Sequence, residues 1–494
     1  MAGPSIAWPR RTRLVTGRSR LWRRVAGPRA RQRYWQLALS IIVSAAPVLA
    51  VARLGLTLTL FLAVLAIAAA VALASPVAFG VIVVALAPLP DVGALLGVSV
   101  PAGFDPLTVL VVLGAVMAIH RGGPFPYGNA LGLVWVTALS LGLFAIAWCR
   151  TYGQGAVSAT SIALLVKPAI IVAAGVLVVR QVPPRLLERT LACAFGGALL
   201  LIGASVALQR MGLYTTAAQL ANADKLQLKQ FGGVMISGND AGAVVAAFTI
   251  PAYVLLRSAG YRAFAVAVLV AAFPVELITL ARGSLIALLC ALGALTLLDR
   301  QAGRGVRTLL GVLGAGVLWM ATLGREQADI LVTNLHSTSG DTNATLSGRS
   351  VIWNEVPKFL DQGQHRWLVG GGLDSFKAFA QTTLGNAFAT HNAYFEFLTD
   401  GGALMLAVAL ALLVALWRAA GRAQESFSIA LRTALVSIAV LGASGNVDVF
   451  TLTVAWIWPL AAAAMVTTTS RAPLAASPRI AAPYGRRPSR AAES

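Results

Sequence analysis

Ser347-Gly348-Arg349, Gly370-Gly371-Gly372 and His391-Asn392 stand in one polar stretch, from about Gly324 to Asn392, between long runs of apolar residues. Reading that stretch as a loop, and its surroundings as membrane-crossing helix, decides the fold. Loops of this length without a function are uncommon. The chemistry is therefore sought in the loop and at the helix ends that face it.

Composition supports the division. Of the 494 residues, 58% are hydrophobic and 12% charged, where a soluble domain carries about 25% charged residues. Apolar runs recur from Trp35 to Thr467. The expected fold is all-α, a polytopic helical membrane protein. A transmembrane barrel is excluded, because barrel strands alternate apolar and polar residues.

About fourteen runs approach the roughly 20 residues a span needs. Their centres fall near Ile42, Val64, Val84, Val112, Ala138, Ile170, Leu200, Ala247, Leu269, Cys290, Ala315, Val408, Val436 and Trp456. Pro88 and Pro90 interrupt the third, and the fourth is short, so twelve to fourteen transmembrane helices are expected. The chain divides into a basic tail (1–33), an N-terminal transmembrane bundle (34–323), the large loop with short helices (324–392), C-terminal spans (393–468) and a second basic tail (469–494). Both tails mix arginine with Pro, Gly, Ala and Ser, a composition that reads as disordered. Ala50-Val51-Ala52 resembles a cleavage site, but the long tail before it and the many spans after it read as an uncleaved anchor.

The formal charge of +21 gathers in those tails and in alternate connections. With the N-terminus inside, the inner connections hold Arg121, then Arg180, Arg185 and Arg189, then Arg257 and Arg262, then Arg300, Arg304 and Arg307, then Arg418 and Arg422. Positive charge stays on the cytoplasmic side. Both termini are expected inside, with Arg282, Arg349, His391 and Asn239-Asp240 on the outer face. The tails read as a topology signal rather than as a nucleic-acid contact.

Three elements carry candidate chemistry. Arg282 interrupts two apolar runs, either as an anion ligand or snorkelling to headgroups, with Glu276 as a possible partner on the same helix. Arg349 follows Ser347, a natural helix cap, and Gly348. A cation is unfavourable at a helix start, and a bound phosphate would resolve the conflict. The alternative is a surface pair with Glu355 or Asp361. His391 precedes Asn392, a second natural cap, so the positive helix end would keep its imidazole neutral and able to take a proton from a hydroxyl; the other reading is a structural histidine. Pro357 is expected to end or kink the helix after Arg349, and Leu373, Phe376 and Phe379 to lie on the membrane surface. The glycine cluster makes a turn or brings backbone to a ligand. Lys167, Glu396 and Asp400 are ionisable groups within apolar runs; Asp400-Gly401-Gly402 also reads as a helix distortion. Cys149, Cys193 and Cys290 suggest small buried residues, with no disulfide or metal-ligand spacing. No phosphate-binding Gly-x-x-x-x-Gly-Lys loop, zincin histidine pair or Asp-x-Asp motif occurs, so no metal and no cofactor is expected.

Taken together, Ala281-Arg282-Gly283, Ser347-Gly348-Arg349 with Trp353 four positions on, the glycine cluster, and His391-Asn392 with Tyr394 before a span resemble the O-antigen ligase and polymerase superfamily, over about Ser237 to Gly402. The resemblance implies a GT-C-like membrane enzyme of the bacterial inner membrane with a large periplasmic loop. It implies transfer of a glycan from a polyprenyl diphosphate carrier to lipid A core, another glycan or a protein, without metal, among membrane lipids and with no nucleic acid. It places Arg282 and Arg349 at the donor diphosphate and His391 near the acceptor hydroxyl. Asn239, Ser347, Gly348, Trp353, Gly371, Asn392 and Glu396 complete the expected substrate contacts. Pro357 and the arginine tails depart from the family pattern. The competing expectation is a transporter or lipid-linked glycan flippase without catalysis.

Overall fold

A computed structural model describes residues 131–152, 182–213, 231–299 and 349–469, apart from 236 and 446, together with scattered single positions. All lie in one compact unit, Gly80–Ser494. The expected spans near Ile42, Val64, Val84, Val112, Ile170 and Ala315 lie outside the described residues, as do both tails, Ala50-Val51-Ala52, Lys167, Ser347 and Gly348.

The chain is a polytopic helical membrane protein. Among the described residues, six helices are long and apolar enough to cross a membrane. In chain order the helices are α1 (Leu131–Tyr152), α2 (Pro184–Arg210), α3 (Gly238–Ser258), α4 (Arg262–Thr279), α5 (Arg282–Leu298), α6 (Arg349–Leu360), α7 (Gln364–Val369), α8 (Ser375–Leu384), α9 (Ala393–Arg422), α10 (Glu425–Ser444) and α11 (Ile457–Thr469). Shorter apolar helices are α5 and the Ile457–Thr467 part of α11. The expected centres at Ala138, Leu200, Ala247, Leu269, Cys290, Val408 and Val436 fall within helices, and Trp456 stands just before α11.

Helix α3 is the axis of the bundle, buried from Ala241 through Leu256. Ser237 caps it, accepting the Asp240 N–H at 3.2 Å. Gly238 and Gly242, four apart, let it approach its neighbours closely. A Cβ at Gly238 would stand 2.7 Å from the Thr279 carbonyl oxygen, and one at Gly242 would stand 2.8 Å from Ala281 Cβ. Small residues at this spacing are how helices without a hydrophobic drive between them gain packing. Deeper in the bundle, Ser437 of α10 donates to the carbonyls of Ala246 (2.8 Å) and Ala287 (3.2 Å), tying α10 to α3 and α5. Phe195 stacks on Trp456 with centroids 4.8 Å apart, and Phe248 meets Trp456 edge-on at 5.0 Å.

These contacts fix one end of the bundle. The starts of α3, α5 and α9 and the ends of α4 and α10 all meet there. The opposite end carries the Arg257–Asp299 ion pair at 3.1 Å.

Helix α9 breaks at Gly402 (φ 69°, ψ −167°), as Asp400-Gly401-Gly402 suggested. The break frees the carbonyls of Thr399 and Asp400. Gly371 N–H donates to Thr399 at 2.7 Å and Gly372 N–H to Asp400 at 2.9 Å. Gly370 (φ 66°) and Gly372 (φ 103°) adopt backbone that L side chains avoid, which gives this turn its shape. The same turn meets the end of α1, where Thr151 Oγ1 donates to Leu373 O at 2.9 Å and Arg150 donates to the Val369 carbonyl. The loop is thereby hooked into the membrane bundle rather than resting on it.

Four expectations are corrected. Pro357 neither ends nor breaks α6, which continues to Leu360; its own carbonyl accepts the Asp361 N–H at 2.9 Å. Phe376 and Phe379 do not face a membrane surface: they pack on Phe359 of α6, centroids 5.7 and 5.5 Å away. The three cysteines are exposed on outward helix faces, where an apolar thiol suits lipid as well as a core. Glu276, 1% exposed, has no hydrogen-bond partner on either carboxyl oxygen among the described residues, and it does not share a helix with Arg282, because Leu280 turns left-handed (φ 54°) and ends α4 first.

Gly402→Ala forces a side chain into left-handed backbone and against the Leu368 carbonyl. The backbone term alone costs about 1–3 kcal/mol, because φ 69° with ψ −167° is a region that essentially only glycine enters. Gly385→Ala meets the milder left-handed α penalty (φ 77°, ψ −2°), about 1–2 kcal/mol, in open space. Thermal unfolding in detergent is expected to rank Gly402→Ala well below Gly385→Ala, with faster proteolysis between α7 and α8 in the former.

Candidate functional site

Helix α10 stops at Ser444, and a helix end leaves its last carbonyls unpaired and partially negative. Three segments converge on these groups. Arg349, at the start of α6, donates a guanidinium N–H to the Ser444 carbonyl. Asn392 donates its side-chain amide to Ala443 O at 3.1 Å. Ala393 N–H reaches Gly445 O at 2.9 Å. Gly283, next to Arg282, lies so close to Ser444 that a Cβ there would overlap the serine side chain.

Arg282 and Arg349 are consequently neighbours. Burial, then the positive charge of Arg282, pushes the Arg349 guanidinium down from its ordinary value; it stays charged. Two like charges at close range call for an anion between them. Arg282 opens α5, whose cap residue Ala281 offers no side-chain acceptor. The first N–H groups of α5 thus add their partial positive charge to the two guanidiniums.

His391 also lies within electrostatic reach of Arg349. Its imidazole is exposed, and its proton affinity falls below the ordinary histidine value through partial desolvation, then through the charges of Arg349 and Lys377. The neutral ring is the form able to accept a proton. The backbone holds His391 in left-handed conformation (φ 51°). Thr390 before it is pinned by Trp353, whose Nε1–H donates to the Thr390 carbonyl at 2.8 Å. Asn392 after it caps α9, accepting the N–H groups of Tyr394 (3.0 Å) and Phe395 (3.2 Å). The described non-glycine residues with positive φ are Leu280, Asp374 and His391. Leu280 sets the start of the helix that bears Arg282, and strain of this kind collects at functional sites.

Sequence reasoning anticipated other contacts that the fold uses differently. The Gly371 N–H is taken by Thr399, and the Trp353 indole N–H by Thr390. Glu355 pairs with Lys358 at 2.6 Å and Asp361 accepts from Trp367 at 2.9 Å, so neither holds Arg349. Asn239 is exposed at the second position of α3, at the same bundle end as Arg282.

A second group of charges lies beneath the loop. Lys377 bonds Asp374 at 2.5 Å. Glu396 and Asp400 of α9 lie within electrostatic reach of both. Asp400, 7% exposed, also accepts the backbone N–H of Asp374. Asp448, after α10, is pushed up to about 6 by burial, against hydrogen bonds from Phe450 and Thr451. Lys377, Asp374, Asp448 and Ser444 were not singled out from sequence; the Asp374–Lys377 spacing of three was the available signal for the first two.

Residues 267–409 match the family model described as O-antigen ligase. The matched stretch runs from within α4 into α9, holds Arg282, Arg349 and His391, and covers less than a third of the chain. No curated protein matches the chain.

The Asn392 bridge can be separated from its cap. Asn392→Ser keeps a capping oxygen but cannot reach Ala443; Asn392→Ala loses both. Each step is expected to lower stability by about 1 kcal/mol, measured by thermal unfolding in detergent. A serine variant as unstable as the alanine one would show that the cap contributes nothing.

Proposed function

We propose that this protein is a metal-independent, inverting glycosyltransferase that moves a glycan from a polyprenyl diphosphate carrier to an acceptor hydroxyl. The observation that carries the reading is Arg349 seated on the last turn of α10, within electrostatic reach of both Arg282 and His391. The O-antigen ligase match over these residues supports it. The acceptor is lipid A core, a glycan or a protein, and the reaction face is periplasmic, with both termini cytoplasmic, at the bacterial inner membrane.

In this mechanism the donor's diphosphate lies between Arg282 and Arg349 at the uncapped start of α5. The acceptor oxygen attacks the anomeric carbon from the face opposite the diphosphate, and its proton passes to His391. The new carbon–oxygen bond forms as the bond to the diphosphate breaks, and the leaving group keeps the electron pair. The anomeric centre inverts. The negative charge growing on the leaving diphosphate is met by the guanidiniums, in the part a divalent cation plays in other diphosphate enzymes. No nucleoside triphosphate is needed, since the carrier already holds the activated bond. Ser347 and Gly348 extend the donor site in this reading, Glu396 contacts the acceptor, and Trp353 and Asn392 hold His391 in place. A transporter would spread its ionisable groups along a path; among the described residues, Arg282, Arg349, His391 and Lys377 instead stand together at one end of the bundle.

In a transfer assay with a polyprenyl-diphosphate glycan, Arg349→Ala is expected to lose about 10²–10³-fold in rate and His391→Ala about 10²–10⁴-fold. Full activity in both correctly inserted variants would remove the proposal. The acid limb of the wild-type rate profile is expected below pH 6.5, because partial desolvation and then the neighbouring cations keep His391 neutral to lower pH. Activity should fall as pH drops through that lowered value. Lys377→Gln removes one of those cations and should move the limb upward with little change in the maximal rate; an unmoved limb would assign it to another group.

A further inference from the structure

Arg432 stands inside α10 and takes no part in the site described above. It comes seven residues after Glu425, so its Cα lies about 10 Å from the start of the helix. A cation at that depth of a span needs a partner. Its Nε is buried without an acceptor, and among the described residues no carboxylate pairs with its guanidinium. Arg257, at the same end of the bundle, shows the alternative, held by Asp299 at 3.1 Å. Glu425 lies on the same face of α10, two turns nearer the end, and makes no ion pair with Arg432.

The guanidinium instead reaches across to the last turns of α9. Its carbon lies 5.0 Å from the centre of the Trp417 ring, in the range of a cation–π contact. Its Nη2 fills the space beside Gly421, where an added Cβ would stand 2.5 Å from it. Trp417 and Gly421 are four apart, on one helix face. Arg418 and Arg422 follow them, both exposed, and neither has an ion-pair partner among the described residues. The α9 residues from the break at Gly402 to Arg422 are about as many as one span needs, roughly 20. Trp417 to Arg422 therefore lie where hydrocarbon gives way to headgroups, the usual level of an interfacial tryptophan.

An arginine that merely snorkels is free to move. This one is fixed by a ring beneath it and a glycine beside it, with its fork at headgroup level. Such a fork matches the oxygens of a phosphate. Three cations against Glu425 favour a headgroup of net negative charge over a zwitterionic one. We infer that Arg432, held over Trp417 and joined by Arg418 and Arg422, binds the phosphate of an anionic phospholipid at the membrane face opposite Arg282 and Arg349. The site stands apart from the glycosyl-transfer reading, and its test needs no donor and no turnover.

Phosphatidylglycerol or phosphatidylcholine, with the same acyl chains, is titrated into the delipidated full-length protein in maltoside, and thermal unfolding is followed. Phosphatidylglycerol is expected to raise the unfolding temperature saturably, and phosphatidylcholine is not. Arg432→Gln should shift the phosphatidylglycerol response to about tenfold higher lipid concentration. Arg262→Gln, which removes an exposed arginine at the same end, should leave it unchanged. Gly421→Ala keeps every charge but crowds the guanidinium; it should weaken the response without lowering the lipid-free unfolding temperature, since alanine favours a helix. A full response in both Arg432→Gln and Gly421→Ala would overturn the inference. So would an equal loss in Arg262→Gln, which marks general attraction to an anionic micelle. A saturable rise with inorganic phosphate alone would overturn it too, assigning the arginines to a free anion.

Discussion

The carbonyls that end α10 are the point on which the site depends. A helix terminus in a membrane protein cannot leave its acceptors bare without a large cost. This one is satisfied by groups from two distant parts of the chain: Arg349, and Asn392 with the Ala393 N–H. Gly283 completes the gathering by close approach. The partial negative charge of the helix end suits the guanidinium placed on it. A structural requirement of the backbone thus brings together Arg282, Arg349 and His391.

The loop acts as part of the bundle because a second backbone defect secures it. Gly402 breaks α9, two carbonyls lose their helical partners, and the glycine turn at 370–372 supplies the replacement N–H groups. The loop's own aromatic cluster, Phe359 with Phe376 and Phe379, then stiffens α6 against α8. Trp353 carries that rigidity to Thr390 and hence to His391. The chain of contacts runs from a distorted span, through a packed loop, to the orientation of one imidazole.

Much of the architecture was legible because hydropathy is local. The helices around Ala138, Leu200, Ala247, Leu269, Val408 and Val436 could be read from apolar runs alone, and Asn392 from its place before one. The gathering of Arg282, Arg349 and His391 was legible only as a shared face and a resemblance. What failed depended on partners remote in sequence. The Phe376–Phe379 stripe showed an apolar face but not that Phe359 covers it. Glu276 and Arg282 were paired on the assumption of one continuous helix, which the left-handed Leu280 interrupts. The glycine cluster could be read as a turn, but nothing local shows that Gly402 would free two carbonyls for it to engage. Ser444 matters only through what is folded against it.

The proposed function makes a spatial claim: Arg282 and Arg349 stand together at one site reached from the outer face of the membrane. The most direct measurement is crosslinking of an Arg282→Cys, Arg349→Cys pair in intact cells, with Cys149, Cys193 and Cys290 replaced by serine. A short, membrane-impermeant bis-thiol reagent is used, and linkage is scored after cutting the chain between the two positions. The account predicts efficient linkage from outside the cell. Linkage obtained only after the cytoplasmic side is opened, or single labelling of each cysteine with no bridge, would contradict it.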